Sequence, residues 1–197
     1  MPVLTSGQQE RKSKQRKIRN SEYYDMEGTF DRLYAESKKD KTFNHLMEII
    51  ESEENIKLAY RTIKKNTGSD TSGVDKRTIA DLAKLSEEEY VRLIRKQFSN
   101  YHPRPVRRVD IPKPNGKTRP LGIPTIVDRI VQQCILQVME PICEAKFHDR
   151  SNGFRPNRGV ENALAQAEKL IQSNKLYIVV DIDIKGFFDN VSHGKLL

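Results

Sequence analysis

Apolar positions recur at helical spacing through most of the chain, give way to a proline-punctuated stretch in the middle, and end in a β-branched run near the C-terminus. In YYDMEGTFDRLYAESKK, Phe30, Leu33 and Tyr34 share one stripe; in TFNHLMEII, Phe43, Leu46, Ile49 and Ile50 share another, so two helices are expected. Ser52 opens SEENIKLAYRTIKKNTG, which has acids in its first turn, an apolar face of Ile56, Ala59, Tyr60 and Ile63, and a stop from Asn66 to Gly68. The turn-rich GSDTSGVDKRTI leads to a short helix through Leu82, with Asp75 as its expected N-cap. Ser86 and Glu89 form a capping box ahead of the stripe Tyr90, Leu93, Ile94 and Phe98, and that helix is expected to close near Asn100.

Helical period is lost in YHPRPVRRVDIPKPNGKTRPLGIP, where six prolines occur and Asn115-Gly116 separates two short β-like stretches, the pattern of a basic hairpin. Pro120 has no amide to donate, so the return strand lies at an edge or leaves the pairing there. A strict two-residue turn would pair Lys113 with Thr118 and send Lys113 and Arg119 to opposite faces, whereas a wider loop or a strong twist removes that conflict. From Thr125, Val127, Ile130, Val131, Cys134, Ile135, Val138 and Ile142 describe a long core helix, with Pro141 predicting a kink or break near Glu140. After HDRSNGFRPNRG, with Asn157 or Gly159 as the opening residue, Ala163, Leu164, Ala167, Leu170 and Ile171 form another helical face that stops at Asn174. KLYIVVDIDI then reads as a central strand with Asp181 and Asp183 at its exit. The fold class expected is α+β, mostly helical with a hairpin or small sheet.

A chain of 197 residues holds one or two folding units. Its 35 Lys plus Arg against 27 Asp plus Glu give a net charge of +8, which favours polyanions, nucleic acid before anionic lipid. Much of the excess lies in ERKSKQRKIR at 10–19, where Lys12, Lys14, Arg16, Lys17 and Arg19 form a solvated or RNA-touching arm with no apolar period. No apolar run approaches the roughly 18 residues of a membrane span, and MPVLTSGQQERKSK lacks a secretory stretch, so no membrane partner and a cytoplasmic location are expected. Cys134 and Cys143 have no paired-ligand spacing and the four histidines are scattered, so buried free thiols are expected in place of a zinc site.

Candidate chemistry sits in two places. In DIDIKGFFDNVSH at 181–193, Asp181 and Asp183 would point to one face of a strand and repel unless a cation lies near; a hard divalent metal answers that, and so does simple bonding to backbone amides at a strand end. On the hairpin, Lys113, Lys117 and Arg119 are groups suited to a triphosphate, Arg by bidentate contact and Lys as a mobile point charge, although a solvated hairpin meeting only RNA backbone has the same composition. NGKT mimics the tail of a phosphate-binding P-loop, but that loop needs glycine where this chain has Ile111, and the segment lies between strand-like runs.

The strand ending Asp-Ile-Lys-Gly-Phe-Phe-Asp-Asn-Val resembles the first catalytic block of the palm in reverse transcriptases of the group II intron-encoded and retron-like kind. RRVDIPKPNGKTRPLGIP resembles their fingers block, SNGFRPNRGVENAL the next fingers segment, and ENIKLAYRTIKKNTGSDTSGVD the leading one; the likeness covers about 52–197 and is tight at 107–124 and 181–191. The resemblance implies helical fingers at 21–174 after a basic arm at 1–20, and the start of a palm with its first strand at 175–197. It implies that Asp183 is a catalytic, metal-binding carboxylate, that Ile184 offers its carbonyl to Mg²⁺ in a two-metal site, and that Phe188 crowds the sugar 2′-hydroxyl. Arg119 first and Lys113 second would bind the nucleotide. Lys64, Lys65, Arg107, Arg108, Lys117, Arg155 and Arg158 would meet RNA beside the arm. Asp189 would cap the turn leading to Val191.

The implied activity of the parent protein is RNA-directed DNA polymerisation, joined to binding of its own intron RNA as a maturase. Its partners would be intron RNA or template, primer DNA and dNTP, in a bacterial or organellar ribonucleoprotein, with a homodimer left open. The alternative is a splicing maturase without significant polymerase activity; a retron-like enzyme is the third reading. The family completes its metal site from a Tyr-Ala-Asp-Asp-like hairpin, and nothing like it occurs in this sequence, so these 197 residues are expected to be a fragment inactive on its own.

Overall fold

The computed structural model describes residues 20–114, 116–187 and 190–196, and divides into two compact units, one ending at Lys146 and the other beginning at Phe147. The boundary expected at 174/175 falls inside the second unit. The basic arm expected at 1–20 lies outside the described residues except for Asn20.

The first unit comprises α1 (Asn20–Tyr23), α2 (Glu27–Lys38), α3 (Leu46–Ile50), α4 (Glu53–Lys65), a 3₁₀ turn (Thr67–Asp70), α5 (Ile79–Leu82), α6 (Glu87–Ser99), strands β1 (Arg107–Pro112) and β2 (Thr118–Ile123), and α7 (Ile126–Glu144). Helix α7 is its axis. Ile126, Ile130, Cys134 and Val138 are fully buried along one stripe, and α2, α3, α4 and α6 pack around the helix. Those neighbours contribute Leu33, Ile50, Ile56, Ala59, Ile63, Tyr90 and Ile94 to the same core. Burying each aliphatic side chain stabilises by about 1.5–3 kcal/mol, so tertiary packing holds elements as short as α3 and α5. Cys134 and Cys143 are free thiols; Cys134 is buried and its pKa is pushed up to about 12 by desolvation.

The helix starts follow their local chemistry. Ser52 caps α4 by accepting from the Asn55 amide (3.3 Å), and Ser86 and Glu89 exchange hydrogen bonds across the start of α6 (3.2 and 2.9 Å). Helix α5 departs from expectation: its cap is Thr78, whose amide donates to the Asp81 carboxylate (3.0 Å), while Asp75 instead accepts from the Arg77 amide (3.3 Å) within the preceding turn. Helix α7 runs without a break through Pro141, so of the kink or break expected near Glu140 the break does not occur. Proline removes one amide donor there, but Ile142 packs on the core and the Ser37 hydroxyl donates to its carbonyl (2.8 Å), so contacts on both sides of Pro141 hold the last turns.

One polar knot sits inside this core. The Asn55 side chain, fully buried, donates to the carbonyls of Ile50 (2.9 Å) and Cys134 (3.0 Å) and accepts from the Gln137 amide (2.7 Å), joining the end of α3, the start of α4 and the middle of α7. Every heteroatom of that side chain is thereby satisfied, the condition for burying an amide without loss.

The second unit contains the loop 147–159, α8 (Val160–Gln172) and α9 (His193–Leu196). Gly159 opens α8, its amide donating to the Asn162 side chain (2.8 Å), and beyond Gln172 the chain turns through Lys175 at φ 56°. The expected strand through Asp183 does not form. Residues 175–184 are irregular, and Ile178, Val179, Val180 and Ile182 are 75–89% exposed. A strand is stable only when neighbours complete its ladder, and the two strands among the described residues pair with each other. The chain turns at Lys185-Gly186, with Gly186 at φ 60° and its carbonyl accepting from the Asn190 side chain (2.8 Å).

Replacing Asn55 by Leu keeps the volume but removes the side-chain donor to the Ile50 and Cys134 carbonyls, while the Gln137 amide keeps its second acceptor, the backbone carbonyl of residue 55 (3.2 Å). At about 1–3 kcal/mol per buried unsatisfied group, Asn55→Leu is expected to cost about 1–3 kcal/mol in urea unfolding; no measurable loss would show the knot to be dispensable.

Candidate nucleic-acid interface

The basic hairpin is closed by three residues, 114–116. The Lys113 amide donates to the Lys117 carbonyl (2.7 Å), the Gly116 amide returns to the Lys113 carbonyl (3.0 Å), and Gly116 sits at φ 77°, where a side chain would be strained. The turn ends on a left-handed residue, Gly116, and Asn115 lies outside the described residues. The ladder then pairs Pro112 with Thr118, Ile111 with Arg119, Asp110 with Pro120 and Val109 with Leu121.

Two consequences follow from that register. Pairs that exchange hydrogen bonds alternate with pairs that do not, so with Lys113 opposite Lys117 bonded, Pro112 and Pro120 both fall at positions whose nitrogen points away from the partner strand. Neither proline costs the ladder a bond. Directly opposed residues share a face, as do residues two apart, so Arg107, Val109, Ile111, Lys113, Lys117 and Arg119 lie on one side, while Arg108 and Asp110 lie on the other. The conflict a two-residue turn would have created is therefore absent, and Lys113 and Arg119 are both exposed on the shared face.

At the hairpin root the same face meets the glycine-containing loop 66–75. Arg107 is half-buried and its Nε donates to the Ser72 carbonyl (2.9 Å), so part of its guanidinium is committed to the fold. Arg129, in the first turn of α7, donates to the carbonyls of Pro124 (3.1 Å), Gly68 (2.8 Å) and Thr71 (2.5 Å). Gly73 packs so closely on the start of α7 that an added Cβ would lie 2.7 Å from the Thr125 Cα. Behind this contact Asp128, buried, accepts from the hydroxyls of Thr125 (2.6 Å) and Tyr101 (3.2 Å). Lys64 lies over the Tyr60 ring (5.7 Å) and Lys65 donates to the Asn20 side chain (3.2 Å), so both expected RNA contacts of α4 have intramolecular partners at its end.

In the second unit Arg155 is placed differently from a phosphate-facing residue. It is buried, donates to the carbonyls of His148 and Ser151 (2.8 Å each), and stacks over Phe147 (5.3 Å), which makes it the organiser of the 147–159 loop. Arg158, half-buried, donates to the Asp149 carbonyl (2.5 Å). Asp181, Asp183 and Ile184 are exposed in the irregular stretch. Their carboxylate and carbonyl oxygens suit a hard cation in type, but among the described residues no three metal-ligating side chains converge. Phe188, Asp189 and the arm residues Lys12, Lys14, Arg16, Lys17 and Arg19 lie outside the described residues.

Arg129 is the functional candidate that pattern reading passed over. Its sequence signal is a cation in the first turn of a helix, where the macrodipole disfavours positive charge, so some other interaction must account for it. Burial and the neighbouring Arg107 push its pKa down, and Asp75 opposes that shift.

Residues 111–197 match the family model of reverse transcriptase (RNA-dependent DNA polymerase). The chain is 38% identical over 159 residues to protein YkfC of Escherichia coli, covering 77% of this chain and 41% of that protein. It is 35% identical over 161 residues to the group II intron-encoded protein LtrA of Lactococcus lactis, covering 80% of this chain and 26% of that protein. A third relative, the putative COX1/OXI3 intron 1 protein of Saccharomyces cerevisiae, is 26% identical over 171 residues. The chain thus spans well under half the length of these relatives. The basic hairpin enters the family match at Ile111, so Lys113, Lys117 and Arg119 lie within the segment, 111–197, that matches the reverse transcriptase family model, and group II intron-encoded proteins are among the relatives to which the chain is similar.

Proposed function

We propose that the whole protein copies RNA into DNA and binds its intron RNA as a maturase, and that this chain supplies its nucleotide-holding hairpin and one metal-binding carboxylate. The observation that carries this reading is the hairpin register, which puts Lys113, Lys117 and Arg119 on one face within the family match. Three cations on one ribbon are what a triphosphate needs: a planar guanidinium to fix phosphate oxygens bidentately, and ammonium groups to neutralise charge that grows on the leaving pyrophosphate.

Mg²⁺, when bound, supplies Lewis-acid activation of the primer 3′-hydroxyl and charge neutralisation at the phosphates. Asp183 and the Ile184 carbonyl are this chain's donors toward it, to be completed by carboxylates from elsewhere in the whole protein. In that setting the exposed run 178–184 pairs with further palm strands and carries Asp183 at its end. Phe188 then limits the space at the sugar 2′-position. The partners of this reading are template RNA, primer DNA, dNTP and intron RNA, bound through the excess positive charge. No helix among the described residues is long and apolar enough to cross a membrane.

The two faces of the hairpin make different demands. In RNA-templated primer extension by the full-length natural protein, Arg119→Ala and Lys113→Ala are each expected to raise KM for dNTP about 10-fold or more, from the loss of a charge-assisted bond of about 1.5–3 kcal/mol. Equal effects from Arg108→Ala, on the opposite face, would contradict the assignment. Arg108→Ala is instead expected to leave dNTP KM within about twofold and to lower the slope of log RNA affinity against log salt by about one, the signature of a single phosphate contact. An unchanged slope would remove Arg108 from the RNA surface.

A further inference from the structure

The loop 66–75 and the hairpin are distant in sequence, yet three separate devices fasten one to the other. Arg107, the first residue of β1, donates to Ser72 (2.9 Å). Arg129 bridges the loop, at Gly68 and Thr71, to Pro124, the residue that follows β2. Gly73 rests on Thr125, where any Cβ would collide with the Thr125 backbone and the Pro124 carbonyl at 2.7–2.9 Å. The loop is therefore bound to both strand roots at once, on the hairpin face that carries Lys113 and Arg119. A guanidinium presents its donors from three nitrogens in a rigid planar fork and so reaches three separate carbonyls in a fixed geometry; a lysine ammonium has its three donors on one rotating nitrogen and fixes no plane. Two arginines side by side repel, and that cost is accepted where backbone carbonyls and Asp75 surround them.

We infer that Arg129 is a positioning residue: it locks the glycine-containing loop 66–75 to Pro124 at the root of β2, beside the tie that Arg107 makes from β1, so that loop and hairpin move as one body and the hairpin cations are held at the height the triphosphate requires. This rests on the nucleotide-holding reading of the hairpin. Arg129 touches neither nucleotide nor metal in this role; it acts through the strands.

The test uses the full-length natural protein in wild-type, Arg129→Lys and Gly73→Ala forms. Arg129→Lys keeps the charge and loses the fork, while Gly73→Ala pries the loop from Thr125 without altering any charge. Both are expected to raise amide hydrogen exchange at least tenfold in 67–75 and in 107–123 together, with the α4 and α7 core amides unchanged. Both should also raise KM for dNTP about fivefold or more, with kcat within about twofold. Exchange that rises in 67–75 alone, or a KM for dNTP equal to wild type in both variants, would overturn the coupling. Exchange that also rises throughout α4 and α7 would reduce Arg129 to a general stabilising residue and equally overturn the inference. A wild type that shows the expected exchange pattern against its variants but makes no DNA would sink the polymerase reading and leave the lock itself standing.

Discussion

The hydrogen bond from the Lys113 amide to the Lys117 carbonyl sets the register of the hairpin, and the chemistry ascribed to this chain depends on that register. Moving the pairing by one residue would turn every side chain of one strand to the other face. Lys113 would part from Arg119, and one of the two prolines would fall where the ladder needs an amide. The three-residue turn avoids both faults, because Gly116 takes the left-handed conformation that adds one residue to the return strand. Proline, often an obstacle in a strand, here acts as a check on register: only pairings that leave Pro112 and Pro120 unbonded are available.

Around the hairpin the first unit is arranged to be stiff. Helix α7 carries the fully buried stripe, the Asn55 knot fixes α4 and α3 against it, and the start of α7 holds the 66–75 loop through Thr125 and Arg129. Polar groups inside this unit are spent on backbone carbonyls from other elements. That choice fixes relative position more sharply than apolar packing alone, since a hydrogen bond constrains direction as well as distance whereas dispersion contacts are non-directional. The exposed hairpin tip extends from a rigid base.

Much of this was legible in the sequence. The periodic stripes of α4, α6 and α7, the Ser52 and Ser86 caps and the hairpin all follow from local pattern, because each is settled by residues a few positions apart. What escaped pattern reading depends on distant partners. Thr78 outcompetes Asp75 as a cap because Asp75 is drawn into its own turn, and α7 survives Pro141 because Ser37 and the core reach it from afar. The run through Asp183 has every local mark of a central strand and stays irregular, since half of a strand's bonding belongs to its neighbours. Among the expected phosphate ligands, Arg155 shows the same lesson: an arginine in a Gly-Phe-Arg-Pro loop reads as a surface cation, yet two carbonyls and a phenyl ring draw it inside. Lys113 and Arg119, by contrast, are exposed on one shared face of the hairpin.

The central claim is that this chain belongs to a working RNA-directed DNA polymerase in which Asp183 is a metal-binding carboxylate. The most direct measurement is primer extension on an RNA template with Mg²⁺ by the full-length natural protein beside its Asp183→Asn variant, which keeps the side-chain shape and removes the charge. The account predicts extension by the natural protein and its loss in the variant, with RNA affinity the same in both. Extension at equal rates by the two, or none from a folded natural protein that binds RNA, would contradict it.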